Sequence, residues 1–597
     1  MQTTPSSFDT QVEAVRSGVD ARAAAQTLAA EMTEAELLAC LHGTVPFWPG
    51  RGRIMEHGYN FVPFEMSGVP RLGVPEISFI DGPRGAVVGP TTAFPVSMAR
   101  GASWDPALEE EVGRAIGVEV RASGGNLFGG VCINLPRHPA WGRAQETYSD
   151  QPVLLGRMGA ALVRGVKPNA MACVKHFALN SMENARFDVD VTCDETTMHE
   201  DFLPHFKEAI DAGAEAVMCA YNSVNGHWAS ESTELLTDIL RTQWGFDGFV
   251  LSDFIWAIRD AAASLEAGMD LEAPFAQLRA DRLPAEIREG RTSFDAVRRA
   301  VVHILTAQLR YYAERDRIEP SADLIAGPAH RALACKVAQH SMVLLRNEDV
   351  AGDPALPIDA GFDGRVAVLG KLADAVNLGD KGSSNVNPPS VVTVLDGIRS
   401  GLPQATVDAH DGSDLDRAAE VAAGADVTVV VVGYTAAEEG EWVNGRVYGR
   451  DDLMGLYPEP ATDEDRRVYA TMMQRLEVAK GKPEAGGDRR DLRLPSADVA
   501  LIRAACAASP RTIVVVQSAG AVIIDDWADL PDAIVLMWYW PTTSTFRFSP
   551  EGTARTRSGP SAVPTDLAAA GNVGAQWIGS ATRCSPLRND WPRPSCR

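Results

Sequence analysis

Short apolar runs alternate with stretches of helical period along most of the chain. In the first half the runs ISFID (77–81), FGGVCINL (128–135), ACVKHFAL (172–179), AVMCAYN (216–222) and FVLSDF (249–254) predict strands. Between them, segments such as DPALEEEVGRAIGVEVRAS (105–123) and HEDFLPHFKEAIDAGA (199–214) place apolar residues at i, i+3 and i+4 and predict amphipathic helices. Repeated βα units over residues 24–314 predict an α/β architecture, a (β/α)8 TIM-like barrel.

A second set of runs follows: SMVLLRN (341–347), RVAVLG (365–370), VTVVVVG (427–433), TIVVVQ (512–517) and AIVLMWY (533–539). These are β-branched almost throughout, as strands buried on both faces must be, and helical segments such as LDRAAEVAAGA separate them. Residues 341–540 are therefore expected to form an α/β sandwich domain with a mostly parallel sheet. Residues 1–23 read as an N-terminal extension and the charged, Pro-containing stretch 315–340 as a linker. From 541 to 597 the chain turns rich in Ser, Thr, Pro, Gly and Arg without a sustained apolar period. That atypical tail is expected to be disordered, or to come from a shifted reading frame.

Composition narrows the class. A chain of 597 residues exceeds what one hydrophobic core organises, which agrees with two domains. No uninterrupted apolar run reaches the roughly 18 residues needed to span a bilayer, so no membrane partner is expected. A net charge of −24 repels a phosphate backbone, which argues against nucleic acid and for a small neutral substrate. The start, MQTTPSSFDTQVEAVRSGVD, has no basic and apolar leader pattern, and a cytoplasmic location is expected. The nine cysteines are scattered, without a C-x-x-C pair, and read as buried thiols.

The predicted barrel strands end in polar residues: Asp81, Asn134 and Arg137, Lys175 and His176, Tyr221 and Asn222, Asp253. Strand C-termini are where barrel enzymes hold their chemistry. Asp253, directly after an apolar strand, reads on chemistry alone either as a nucleophile or as a cap at a strand-to-helix turn. The chain has no G-x-x-x-x-G-K-[ST], no H-E-x-x-H and no G-x-S-x-G with suitable partners. The glycine-bearing GDKGSSNVNPP (379–389) lacks phosphate-loop spacing.

Five segments occur in order: VCINLPRHPAWGRAQETYSDQP, CVKHFALNSMENARFDVD, MCAYNSVNG, GFVLSDF and AGMDLEAP. Together they resemble the barrel domain of glycoside hydrolase family 3, and the likeness extends over roughly residues 60–535. The resemblance implies a retaining β-glycosidase in which Asp253 attacks the anomeric carbon, without metal or organic cofactor. Retention needs a second carboxylic acid roughly 5 Å away. In two-domain members it comes from a loop of the second domain, matched here by TAAEEGEWVNGR (435–446) followed by GGDRRDLRLP (486–495). Of Glu438, Glu439 and Glu441, Glu439 is preferred for standing directly before the glycine, with Glu441 the alternative.

By the same resemblance Asp81 accepts from neighbouring sugar hydroxyls, and Arg143, Lys175, His176 and Arg186 surround the ring as donors. Tyr221 supports the nucleophile and Met218 lines the pocket. Glu183 is either structural or a support that pairs with nearby cations, and Phe254 and Trp256 either wall the aglycone or belong to the core. KHFALNSMENAR departs from the KHFPGHG-like pattern of the family's single-domain N-acetylglucosaminidases, which disfavours that chemistry. The expected substrate is a terminal β-D-glucosyl unit, with xylosides and arabinosides as alternatives. A catalytically impaired carbohydrate-binding protein is the reading that the altered C-terminus suggests, and self-association stays open.

Overall fold

The computed structural model describes residues 5–441, 447, 450–479 and 486–539; the tail from 541 lies outside the described residues. In the first domain, strands Phe64–Met66, Ile77–Asp81, Leu127–Cys132, Met171–Phe177, Ala216–Cys219 and Phe249–Leu251 lie side by side in chain order. The first runs antiparallel to the second and the remaining neighbours are parallel. Two irregular segments close the ring. Leu251 bridges Leu271 in parallel, Ala276 bridges Pro46 in parallel, and Gly43 bridges Met66 antiparallel.

The result is an eight-segment barrel with one reversed strand. The closing segments are irregular because each carries a proline, Pro46 or Pro274, that cannot donate to a ladder. The helix expected over 199–214 is likewise divided at Pro204. A wide turn, Met198–Phe202, precedes the α-helix Pro204–Asp211, since proline removes one backbone donor and crowds the preceding turn.

The two stretches read as extension and linker both carry helices packed onto the barrel. Helix Ser7–Arg16 starts on a capping box between Ser6 and Asp9. It buries Phe8 and Val12, sets Phe8 edge-on to Tyr312, and donates from Arg16 to the Tyr312 and Ala313 carbonyls. Helix Pro328–Ser341 lies within the stretch 315–340 and its successor; the buried Glu119 accepts from Thr92 N–H, Ala326 N–H and His330 Nδ1 to hold it. Apolar burial and hydrogen bonding, not the local charge pattern, decide these segments.

In the second domain the strand order is Val343–Asn347, Ala533–Leu536, Thr512–Gln517, Val427–Gly433, Arg365–Leu369, Thr406–His410. Only the first pair is antiparallel. Alternation along the strands builds two cores. Val430, Val432, Val514 and Val516 face Leu501, Ile502 and Ala418, while Val429, Val431, Ile513 and Val515 face Val394, Leu395 and Ile398. The edge strand Thr406–His410 is half exposed and polar, so its sequence carries no buried-strand signal.

Chain order reverses between Arg365–Leu369 and Val427–Gly433, so loops leaving these two strands diverge and frame a crevice. The loops that leave there hold residues 370–385 and 434–441, and both reach the barrel rim. No helix among the described residues is long and apolar enough to cross a membrane. Cys40, Cys132, Cys173 and Cys219 are buried free thiols.

Candidate active site

Asp253 stands two residues beyond strand Phe249–Leu251, at the barrel's C-terminal rim. Its Oδ1 accepts the Phe254 N–H at 2.7 Å, while Oδ2 accepts no hydrogen bond among the described residues and lies 3.7 Å from His176 Nε2. Burial pushes the Asp253 carboxyl above its usual range, and Arg143, Arg186 and Lys175 offset part of that push. An unbonded, buried carboxylate oxygen among cations is unusual, since buried polar atoms are ordinarily satisfied.

His176 is fixed on its other side. Asn134 Nδ2 donates to the His176 carbonyl at 2.7 Å, which leaves Asn134 Oδ1 to accept from His176 N–H at 2.7 Å and from Nδ1 at 3.0 Å. Nδ1 therefore carries the proton. Burial first, then Arg143, Lys175 and Arg186, hold the imidazole well below its ordinary pKa, so it is neutral and Nε2 is an acceptor beside Asp253.

Asp81 ends strand Ile77–Asp81. Its carboxylate accepts from Lys175 Nζ at 2.6 Å and from the Tyr59 hydroxyl at 2.7 Å. Burial opposes the Lys175 charge, yet Asp81 draws the Lys175 pKa up to about 12. Arg143 forms a two-pronged pair with Glu146 at 2.9 and 2.7 Å and reaches Glu441 at 3.8 Å. Arg186 Nη1 donates to Glu441 at 2.9 Å and to Glu183 at 3.0 Å, and its guanidinium lies 4.9 Å from the Tyr221 ring centroid. Glu183, fully buried and bonded to Trp141 Nε1, is pushed up to about 7 by burial.

The two candidate acids part company here. Glu439 is fully buried: Oε1 accepts from Ala519 N–H and the Tyr539 hydroxyl, and Oε2 pairs with Arg489 Nε at 3.0 Å. Glu441 faces the barrel. Its Oε2 accepts the Ser383 N–H at 2.6 Å, and its own N–H donates to Asp380. Burial alone would raise the Glu441 carboxyl, but Arg143, Arg186 and Ser383 hold it well below the usual carboxylate range. Among the described residues, the carboxylates of Glu146, Asp380 and Glu441 form a cluster within 4.8 Å; Arg143, bonded to Glu146 and facing Glu441, supplies counter-charge.

Met218 is buried on strand Ala216–Cys219, and the Tyr221 hydroxyl donates to the Phe254 carbonyl at 2.8 Å. The Phe254 ring packs on Phe79, Phe64 and Tyr59, so its backbone rather than its ring meets the nucleophile. Trp256 donates to the Tyr457 hydroxyl at 3.1 Å and packs edge-on to Phe187.

Tyr59 and Arg84 have no signal in the motif order, whereas Asp380 and Ser383 lie in GDKGSSNVNPP and Asp488 in GGDRRDLRLP, segments that gave none of the three a role of its own. Arg84 donates to the Ser384 and Asp380 carbonyls, fastening the 380–384 loop to the barrel. Gly142, Gly440 and Gly487 meet at the domain seam. A Cβ on Gly142 would lie 2.2 Å from the Gly487 carbonyl oxygen and 2.4 Å from that of Gly440. Gly142→Ala is accordingly expected to force the loops apart and lower stability by about 1–3 kcal/mol, read as a fall in thermal midpoint. An unchanged midpoint would mean the seam can yield.

Residues 65–307 match the glycosyl hydrolase family 3 N terminal domain, and residues 342–545 match its C-terminal domain. The chain belongs to glycoside hydrolase family 3. The family expected from the five ordered motifs is thus the family found. Among similar proteins, a β-glucosidase of Rhizobium radiobacter is 36% identical over 350 residues, 56% of this chain and 42% of its own length. An exo-α-(1→6)-L-arabinopyranosidase of Bifidobacterium breve (strain ACS-071-V-Sch8b) is 27% identical over 509 residues, 80% of this chain and 60% of its own. The structure of a Bifidobacterium adolescentis family 3 β-glucosidase superposes with a TM-score of 0.67 and 26% identity, covering 86% of this chain and 67% of that one. The chain spans about half the length of the curated relatives it matches.

Proposed function

We propose that the protein is a retaining β-glycosidase that hydrolyses terminal β-D-glucosyl residues, with Asp253 as nucleophile and Glu441 as acid and base. The observation that carries this reading is Asp253 Oδ2, buried and without a hydrogen bond among the described residues, beside the neutral His176 and within the field of Arg143, Lys175 and Arg186. Such an oxygen is free to attack, while the cations favour its ionised form.

In this reading the sugar's hydroxyls meet Asp81, Lys175 and the acceptor Nε2 of His176. Asp253 displaces the aglycone to form a glycosyl-enzyme as Glu441 gives its proton to the leaving oxygen. Glu441 then takes a proton from water as the water displaces Asp253. The ionised Glu441 held by Arg143 and Arg186 is the form required for that second half. For the first half the proton must reside on Glu441 while Asp253 is ionised; burial raises Asp253 and the arginines lower Glu441, so this is the less favoured placement of the proton in the free site.

Turnover of p-nitrophenyl β-D-glucoside tests the reading, with the β-xyloside and α-L-arabinopyranoside in parallel. The arabinopyranosidase relative motivates the last substrate. No hydrolysis of any aryl glycoside by the wild type would sink the enzyme reading and leave a carbohydrate-binding protein.

Arg186 lowers both Asp253 and Glu441. Arg186→Gln should therefore raise both carboxyls and move both limbs of the kcat/KM profile to higher pH, by about one unit or more. Limbs that stay in place would show that Arg186 does not set the pair.

A further inference from the structure

The turn that carries Asp488 sits in the second domain, yet its carboxylate serves the first. Oδ1 accepts the Gly142 N–H at 3.0 Å and the Glu183 N–H at 3.0 Å; Oδ2 accepts Glu183 N–H and Asn184 N–H, each at 3.0 Å. Asn184 Oδ1 returns the contact by accepting the Asp488 N–H at 3.2 Å. Arg143 follows Gly142 directly, and Arg186 follows Asn184 by two residues. One side chain thereby holds the backbone of both loops whose guanidiniums converge on Glu441 at 3.8 and 2.9 Å.

The neighbouring residues lock the same turn to the acid loop. Gly487 N–H donates to the Gly440 carbonyl at 2.9 Å, next to Glu441. Arg489 N–H donates to the Ala140 carbonyl at 2.8 Å, Nη2 donates to the Pro139 carbonyl at 2.8 Å, and Nε pairs with Glu439. Glu439 is thus the anchor of the turn.

We infer that Asp488 is a positioning residue, a clasp through which the second domain sets Arg143 and Arg186 against Glu441. This rests on the assignment of Asp253 and Glu441 made above. The chemistry requires a carboxylate: it accepts from three amide donors at once, whereas an asparagine would turn N–H groups toward N–H groups at one of the two oxygens. Displacing a charged partner by about 1 Å can cost on the order of 10²-fold in rate.

The test is Asp488→Asn in the full chain, with Asp525→Asn as control because Asp525 pairs with Arg493 at the surface of the second domain. Hydrogen exchange of peptides covering 138–147 and 180–190 is measured together with kcat, KM and the pH profile on p-nitrophenyl β-D-glucoside. The clasp predicts faster exchange in both loops, a fall in kcat/KM on the order of 10²-fold carried mainly by kcat, and both pH limbs moved upward as the guanidiniums loosen. The control should match the wild type. Unchanged exchange in both loops, or kcat/KM within about twofold of wild type with unmoved limbs, would overturn it.

Should Asp488→Asn not fold, Asn184→Ala, which removes only the returned hydrogen bond, must show the same directions at smaller size; no change in either loop or limb overturns the clasp. Should the wild type hydrolyse no glycoside, the functional reading fails by itself. The exchange arm then decides the clasp alone, with raised exchange in both loops supporting it and unchanged exchange refuting it.

Discussion

Asp253→Asn is expected to lower kcat on aryl β-glucosides by about 10⁴-fold or more, with little change in thermal midpoint. The amide keeps the shape and can still accept the Phe254 N–H, but it has no charge with which to attack. The substitution also removes a buried charge that burial disfavours, so the fold should not suffer. Reaction of the wild type with a 2-deoxy-2-fluoro-glucoside should label Asp253, and a label on any other side chain would overturn the assignment. Retained activity in the variant would do the same.

Glu441→Ala should depend on the leaving group. Poor leaving groups need the acid, so their hydrolysis should fall by about 10²–10⁴-fold, while a dinitrophenolate that departs unaided should be released nearly as fast as before in the first turnover, after which the glycosyl-enzyme accumulates. Added azide, a nucleophile that needs no general base, should then restore release of the enzyme-bound sugar. Glu439→Gln should behave differently, because it strips the buried Arg489 of its partner. Leaving one buried charge unpaired costs about 3–5 kcal/mol, so the thermal midpoint should fall while folded molecules keep the wild-type leaving-group dependence. If the leaving-group signature appeared in Glu439→Gln and not in Glu441→Ala, the two roles would have to be exchanged.

The strands were legible because their signal is local. Ile77–Asp81, Val427–Gly433 and Thr512–Gln517 begin and end where their apolar runs do. Less legible were pieces whose structure depends on what they touch. Segments 41–46 and 271–276 close the barrel through single bridges and carry no strand pattern of their own. Helix Ser7–Arg16 exists against Tyr312 and Ala313, which lie almost 300 positions away. Tyr59 enters the site by bonding Asp81, and nothing in its surrounding residues announces that.

Amino-acid order alone determined a barrel followed by an α/β sandwich and the family, and it put Asp253 forward as the nucleophile proposed above. It did so because periodicity, strand ends and ordered motifs are properties of neighbouring residues. Tertiary structure decided where the two loop acids stand. Glu439 and Glu441 are two positions apart, and Gly440 between them, at φ +153°, carries the chain from the buried Arg489 to the barrel arginines. Which carboxylate faces the barrel follows from contacts with Arg143, Arg186, Ser383 and the Asp488 turn. Those partners come from distant parts of the chain and meet the loop only after both domains have folded.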